Sequence, residues 1–584
     1  MTFQNDATVA EAVFRPEQGV AVPSLPETLG WSARSEALAP KLAALAASSL
    51  PAAEPLPAVS YASRGNLLVV GGDERALACA EKLAGPLAVT LLLTSRPSNQ
   101  AALLASASLE ADFPIWGAKV GRLEGYLGRF EAELQSLAVI RGHDRALPAS
   151  ARVAFDLVID FSEPPLFGHH TPPQGYWRVA DDESLARALA EAPECVGEFE
   201  KPRFFAYREN LCAHSRSAIE GCRRCIDVCS TEAISPSGDK VEVDPHLCMG
   251  CGACASVCPS GAMSFVFPKL PDRGAQLKAM LGAYREAGGR APSLLIHNGT
   301  DGRAVLDAFA ESGAGLAPDV LPVEAWHVAS TGIDLLLGAF ALGATRVAIL
   351  AAGSEAPEYL DSLREQCALA ETIVQAFGYE GRHFLVVTAP AELDGLSPAQ
   401  GVSVPAAFAF SPDKRTAVEF AVDHLSRHAP VRPPVIALAE GAPFGEVVVD
   451  VAKCTLCLAC AGACPESALM DGGEAPALRF LERNCVQCGL CERTCPEEAI
   501  ALKPRLLVGP AARETRTLNE TQPFHCVSCG KPFGTKQMVE AMTGRLAGHS
   551  MFAGGDAMRR LQMCADCRVV DMMSGKNEVS VLKL

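Results

Sequence analysis

The sequence predicts an α/β chain whose two sheet-forming stretches alternate with two cysteine-rich modules and which closes on a tail with paired cysteines. Three observations predict this. Short apolar runs alternate with amphipathic helical segments over residues 61–200 and again over 273–430, the pattern of parallel sheets covered by helices on both faces. Twenty of the twenty-three cysteines fall into tight groups, leaving Cys79, Cys195 and Cys367 alone as expected buried structural thiols. One four-cysteine run recurs about 230 residues further along, each copy itself doubled. That is module duplication, not a short-period solenoid.

Composition narrows the function classes. Of 584 residues, 49% are hydrophobic and 20% charged, enough apolar material for several cores. The net charge of −17 argues against a nucleic-acid binder, which needs a basic face, and against a polybasic membrane patch. The first twenty residues lack a basic start followed by an apolar run, so no secretory signal is expected. The longest apolar stretch, residues 333–350, contains Asp334 and Arg346 and reads as a buried helix followed by a buried strand. A cytoplasmic location is expected, where clustered cysteines bind metal more often than they form disulfides.

Taken in order, residues 1–60 are rich in Ala and Pro and read as a partly helical extension and linker. Residues 61–200 open with "NLLVV" (66–70), Gly71-Gly72 and a helical "DERALACAEKL", one strand–turn–helix unit. "AVTLLL" (88–93), "LAVI" (137–140) and "DLVIDF" (156–161) are further strands. The glycine turn lacks G-x-G-x-x-G. Asp73 reads as a helix N-cap, and acidic residues there oppose a pyrophosphate, so flavin or NAD(P) is not expected. In 273–430 the strands are "SLLIHN", "DVLPVEAW", "RVAIL" and "HFLVV". Trp326 and His327 end one of them, where such sheets can bind ligands. The twelve histidines are scattered, "GHH" (168–170) reads as a polar loop, and no catalytic constellation can be assembled.

Residues 431–506 carry the cleaner cysteine module. Cys454, Cys457, Cys460 and Cys464 precede Pro465, and Cys485, Cys488, Cys491 and Cys495 precede Pro496. This is the C-x2-C-x2-C-x3-C-P run, twice. In two-cluster ferredoxins the fourth cysteine of each run ligates the other cluster. The expected [4Fe–4S] sets are therefore Cys454, Cys457, Cys460 with Cys495, and Cys485, Cys488, Cys491 with Cys464. Paired zinc sites, the competing reading, use CxxC pairs without prolines.

The module at 201–272 keeps one intact run, Cys248, Cys251, Cys254 and Cys258 before Pro259. The other half has Cys222, Cys225 and Cys229, but Ile219 stands where its first cysteine belongs. Three readings compete: Cys212 supplies the ligand across a nine-residue loop, three cysteines hold a [3Fe–4S] cluster, or this half is lost. The tally favours Cys212, because Cys258 is an orphan without a first cluster. The sets become Cys212, Cys222, Cys225 with Cys258, and Cys248, Cys251, Cys254 with Cys229. His214, Arg216, Glu220, Arg223 and Arg224 lie around this loop. Cations there raise a cluster's potential, although singly each also reads as a solvated side chain.

In residues 507–584, Cys526 and Cys529 face Cys564 and Cys567 across 34 residues. Two CxxC knuckles with Gly530 at the turn predict a tetrahedral S4 site, with structural zinc first and a rubredoxin-like iron as the alternative. His525 is adjacent but not needed as a ligand.

The strings "LCAHSRSAIEGCRRCIDVCSTEAI", "CMGCGACASVCP" and "FHCVSCGKPF…CADC" resemble large proteobacterial 4Fe–4S proteins associated with molybdenum formate dehydrogenases and their maturation proteins. The resemblance implies that displaced Cys212 and the terminal pairs belong to the family pattern, with formate dehydrogenase or a similar molybdoenzyme as redox partner. Residues 318–395 resemble the delta subunit of methyl-viologen-reducing hydrogenase. Residues 350–354 contain no cysteine where that family has a cluster ligand, so this domain is expected as scaffold or docking surface.

The full expectation is two doubly wound α/β domains, two ferredoxin-like 2[4Fe–4S] modules and a zinc-ribbon-like end, together an electron-transfer polyferredoxin with four [4Fe–4S] clusters and one zinc. The rivals are a flavin- or NAD(P)-dependent oxidoreductase subunit and an assembly factor whose clusters do not cycle.

Overall fold

The computed structural model describes residues 35–51, 55–94, 97–106, 112–142, 150–312, 315–473, 475–552 and 555–574. The absence of a signal, read on the first twenty residues, and most of the reading of 1–60 lie outside the described residues. Among the described residues no helix is long and apolar enough to cross a membrane.

The first sheet has seven strands, in the order 150–155, 129–141, 115–126, 88–93, 66–71, 157–160 and 176–178. Neighbours from Ile115–Tyr126 through to Tyr176–Arg178 run parallel, while Arg129–Arg141 and Ser150–Phe155 are antiparallel additions at one edge. The central strand is apolar on both faces because both are covered: Leu67 and Val69 join one core, Leu68 and Val70 the other. The chain then turns sharply into the helix Glu74–Leu83. A Cβ on Gly71 would lie 2.4 Å from that of Ala76, and Asp73 Oδ1 accepts from Ala76 N at 3.0 Å, so the expected N-cap is present. "LAVI" is only the tail of the long strand Arg129–Arg141.

The second sheet is four parallel strands in the order Val320–Ala325, Ser293–Asn298, Arg346–Leu350 and Phe384–Val387. Its order reverses between the strands beginning at Ser293 and Arg346, which leaves a crevice at their carboxyl ends. The helix Ser35–Ala46 packs against Leu270–Glu286, and its Ala44 and Leu45 enter this domain's core. It is thus an integral layer of the second sheet's packing.

Each cysteine module is small and built to one plan. The first joins Phe205–Tyr207 to Met263–Phe265 and adds the hairpin 234–237/240–243. The second joins Gly445–Val449 to Ile500–Leu507 and Leu469–Asp471 to Ala477–Leu481. Each carries two helices of four or five residues, Arg224–Asp227 and Ala253–Val257 in the first, Ala459–Ala463 and Leu490–Thr494 in the second. The chain ends in the hairpin 523–525/532–535 and the helices Lys536–Leu546, Gly555–Leu561 and Ala565–Ser574.

Candidate metal centres

Four small cavities are each lined by four cysteines. One holds Cys454, Cys457, Cys460 and Cys495. A second holds Cys464, Cys485, Cys488 and Cys491, a third Cys229, Cys248, Cys251 and Cys254, and a fourth Cys212, Cys222, Cys225 and Cys258. The structure thus brings together each quartet that spacing grouped.

Local backbone explains the convergence. In three of the four sets the residues before and after the middle cysteine are left-handed: Gly250 and Gly252, Leu456 and Leu458, Gln487 and Gly489. Two reversals within seven residues turn three side chains toward one point. Glycine adopts this conformation freely, whereas the two leucines are strained there. The short helix that follows carries the fourth cysteine away to the partner cavity.

Cys212 arrives differently. The nine residues between it and Cys222 fold into a hairpin pairing Ser215–Arg216 with Ile219–Glu220. Its two turn residues, Ser217 and Ala218, both have positive φ, as a two-residue primed turn requires. Cys222 N donates to Ala213 O at 2.8 Å and Gly221 N to His214 O at 2.6 Å. The long gap in sequence is therefore a short one in space, and Cys212 sits 7% exposed against Cys258 in one apolar cluster. Buried His214 holds the loop through Nδ1 to Cys222 O at 3.0 Å.

The sulfurs are met by amide donors. Ala468 N lies 3.3 Å from Cys464 Sγ, Ala499 N 3.3 Å from Cys495 Sγ and Met263 N 3.4 Å from Cys258 Sγ. Gln487 Nε2 donates to Cys485 Sγ at 3.2 Å. Burial, and then the neighbouring thiols, push Cys460 up to about 12 and Cys254 well above the ordinary thiol value. Sulfurs packed this way cannot all ionise without a cation among them. Soft donors, an apolar lining and N–H groups aimed at sulfur fit an iron–sulfur cluster.

Several supporting residues had no signal in sequence spacing. Lys201 Nζ, itself buried, donates to His246 O and Cys248 O, both at 2.8 Å. Lys414 Nζ donates to Ala255 O at 2.8 Å and Ser256 O at 2.5 Å. Arg415 donates to Pro443 O, Arg483 O and Cys485 O at 2.8, 2.6 and 3.0 Å. The second sheet's crevice grips the first module: the Tyr359 hydroxyl is 2.5 Å from Ser230 Oγ, and Phe204 stacks on Trp326. His327 caps the turn beside them through Ala329 N. Of the charged loop residues, Arg223 pairs with Glu220 and Asp227, and Arg224 reaches Gly441 O.

The tail site is tighter. The Sγ atoms of Cys526, Cys529, Cys564 and Cys567 all lie within 4.8 Å of one another, the spacing of ligands to a single ion. Gly530, left-handed, closes the first knuckle by donating to Cys526 O at 2.9 Å. Burial acts to raise Cys526, but N–H groups of Cys564, Cys529 and Ser528 bring it down to about 6. His525 is outside the group. Cys79 and Cys367 are buried and Cys195 is half-buried.

A 4Fe–4S dicluster domain matches this chain twice, over residues 220–262 and 453–500. Hydrogenase-4 component A of Escherichia coli is 41% identical over 54 residues, 9% of this chain and 24% of that protein. A "Ferredoxin 7Fe" of Hydrogenibacillus schlegelii is 41% identical over 39 residues, 7% of this chain and 50% of the relative. An uncharacterized ferredoxin of Methanocaldococcus jannaschii is 44% identical over 43 residues, 7% of this chain and 69% of the relative. The chain spans 24% of the length of the first of these and 50% of the second.

Proposed function

From the premise that this chain belongs, through its two dicluster modules, to the ferredoxin-type iron–sulfur proteins, we propose that it is a polyferredoxin holding four [4Fe–4S] clusters and relaying single electrons for a partner oxidoreductase. The observation that carries the reading is the four cavities, each lined by four cysteines with Cys212 completing the irregular one. Bound clusters supply one-electron redox chemistry. The chain's own residues set its potential: amide donors at Cys258, Cys464 and Cys495, and the nearby cations Lys201, Lys414 and Arg415. Among the sixteen cysteines of these sets only Cys457 is exposed, so its set is the one most open to an external partner.

The terminal cysteines are read as a structural zinc ribbon, because four sulfurs close the coordination sphere and leave no position for substrate. The two parallel sheets are read as doubly wound scaffold domains within the boundaries 61–200 and 273–430. The resemblance in the loop and tail motifs makes formate dehydrogenase or a related molybdoenzyme the proposed partner, and the cytoplasm the proposed location. A seven-iron first module, as the name of one relative suggests, would leave Cys212 without a role.

The test is an anaerobic reductive titration followed by EPR. The reading expects about four one-electron equivalents taken up reversibly per chain, one per cluster. A flavin absorption band, or bleaching by NAD(P)H alone, would transfer the assignment to a nucleotide-dependent oxidoreductase subunit. Clusters that accept no electrons would make it an assembly factor.

A further inference from the structure

The nine-residue insert does more than deliver Cys212. Its returning strand lies against the helix Leu490–Thr494 of the second module. The Arg493 guanidinium donates to Glu220 O. Gly221 is pressed so closely on fully buried Leu490 that a Cβ there would stand 2.8 Å from Leu490 Cγ. Arg224, two residues past Cys222, donates to Gly441 O at the entry to the second module. The corresponding run of the second module has only the usual two-residue gap and faces the tail instead, where Thr535 Oγ1 donates to Thr455 O at 2.7 Å. The insert therefore occurs in the copy whose first run faces the other module.

A second tether comes from the helix Lys414–His428. Adjacent Lys414 and Arg415 divide their bonds, Lys414 to carbonyls of the first module and Arg415 to carbonyls of the second. Beside Arg415 a cavity of about 320 Å³ is lined by Leu211 and Ser260 of the first module and Glu466 and Glu482 of the second. The insert and the Lys414–Arg415 pair are thus two separate contacts that hold the modules together.

We infer that residues 213–221 are a docking joint that closes the second module onto the first and so sets the Cys222 side of one cysteine set beside the Cys488 side of another. Gly221, the neighbour of Cys222, touches Leu490, which lines the cavity of the Cys488 set. Within each module the two sets share one apolar cluster. The four sets then follow one another in the order Cys229, Cys212, Cys464, Cys454. With clusters bound by the Cys212 and Cys464 sets, an electron crossing the joint would oxidise one cluster by one equivalent and reduce the other by one. It needs no proton or further reagent, and the electron comes from a reduced redox protein outside the chain.

The inference rests on the four-cluster reading, and its test separates the two. In the full holoprotein, Arg224→Ala combined with Arg493→Glu removes both side-chain contacts and replaces no cysteine of the sets. EPR of the fully reduced protein reads spin coupling between modules, and hydrogen exchange reads the amides of 213–221. The expected result is unchanged iron, lost inter-module coupling and faster exchange in 213–221. Full iron with unchanged coupling and exchange overturns the joint. Arg493→Lys, which keeps a cationic donor, should retain both iron and coupling. Loss of iron in Arg493→Lys would also overturn it, since Arg493 would then be supporting the cluster loop itself. Low iron in the unsubstituted protein would count against the four-cluster reading alone.

Discussion

Replacing Arg415 by Met tests how much the second module owes to a cation supplied from a distant helix. The side chain donates to three carbonyls at 2.6–3.0 Å, and its guanidinium stacks 4.6 Å over the Phe444 ring. Hydrogen bonds from a charged donor are worth roughly 1.5–3 kcal/mol each, and the stacking about 0.5–1 kcal/mol. The low ends sum to about 5 kcal/mol. Met replaces the apolar stem, and water can reach the Arg483 carbonyl on the partly exposed side, so the expected loss is about 3–5 kcal/mol. The assay is the guanidinium midpoint for bleaching of the iron–sulfur absorption in anaerobic protein. Arg415→Lys, with three donors but no fork or stack, should fall between. The EPR midpoint of the Cys464 set should also move to lower potential, because a positive charge beside the Cys485 carbonyl is gone. A loss under about 1 kcal/mol with unchanged potential would mean that water replaces this arginine without cost, and the reasoning would fail.

Three further outcomes are expected. Cys212→Ala should lower iron by about one to four per chain and, in the first case, give the EPR signal of an oxidised three-iron cluster; unchanged iron would remove Cys212 from the ligand set. Asp73→Ala should cost about 1 kcal/mol in the thermal transition of the first sheet's domain, with iron unaffected. Burial acts to raise the Glu371 carboxyl, but His383 Nδ1 and the amides of His383 and Phe384, all at 2.9 Å, hold it below its ordinary value. A depressed carboxylate stabilises the fold above its unfolded pKa, about 4.3, and that contribution is lost as pH falls through the folded value. Glu371→Gln should flatten the acid limb of the stability profile below about pH 4, and an unchanged limb would show that the carboxylate does not carry it.

What could be read from the sequence follows from where each constraint lies. The grouping of the cysteines is set by covalent spacing, so the four quartets could be read, and Cys212 joined its quartet by the tally. The hairpin that brings it home was not, because Ser217 and Ala218 carry none of the Gly or Asn signals of a primed turn. The buried strands at 66–71 and 293–298 were plain, being apolar on both faces. The long pair 115–126/129–141 was largely missed. Register shifts at three points break its period of two, and its outer half is solvated. The helix Ser35–Ala46 contains Pro40 and reads from sequence only as a partly helical extension, without its place in the core. Its partner, Leu270–Glu286, lies far along the chain, beyond any local pattern. Lys201, Lys414 and Arg415 escaped for the same reason.

Metal and sulfide analysis of anaerobically purified protein tests the central claim most directly. The four quartets and the tail predict about sixteen irons, about sixteen acid-labile sulfides and one zinc per chain. About twelve irons at full occupancy would contradict a four-cluster chain and leave the Cys212 cavity without its cluster.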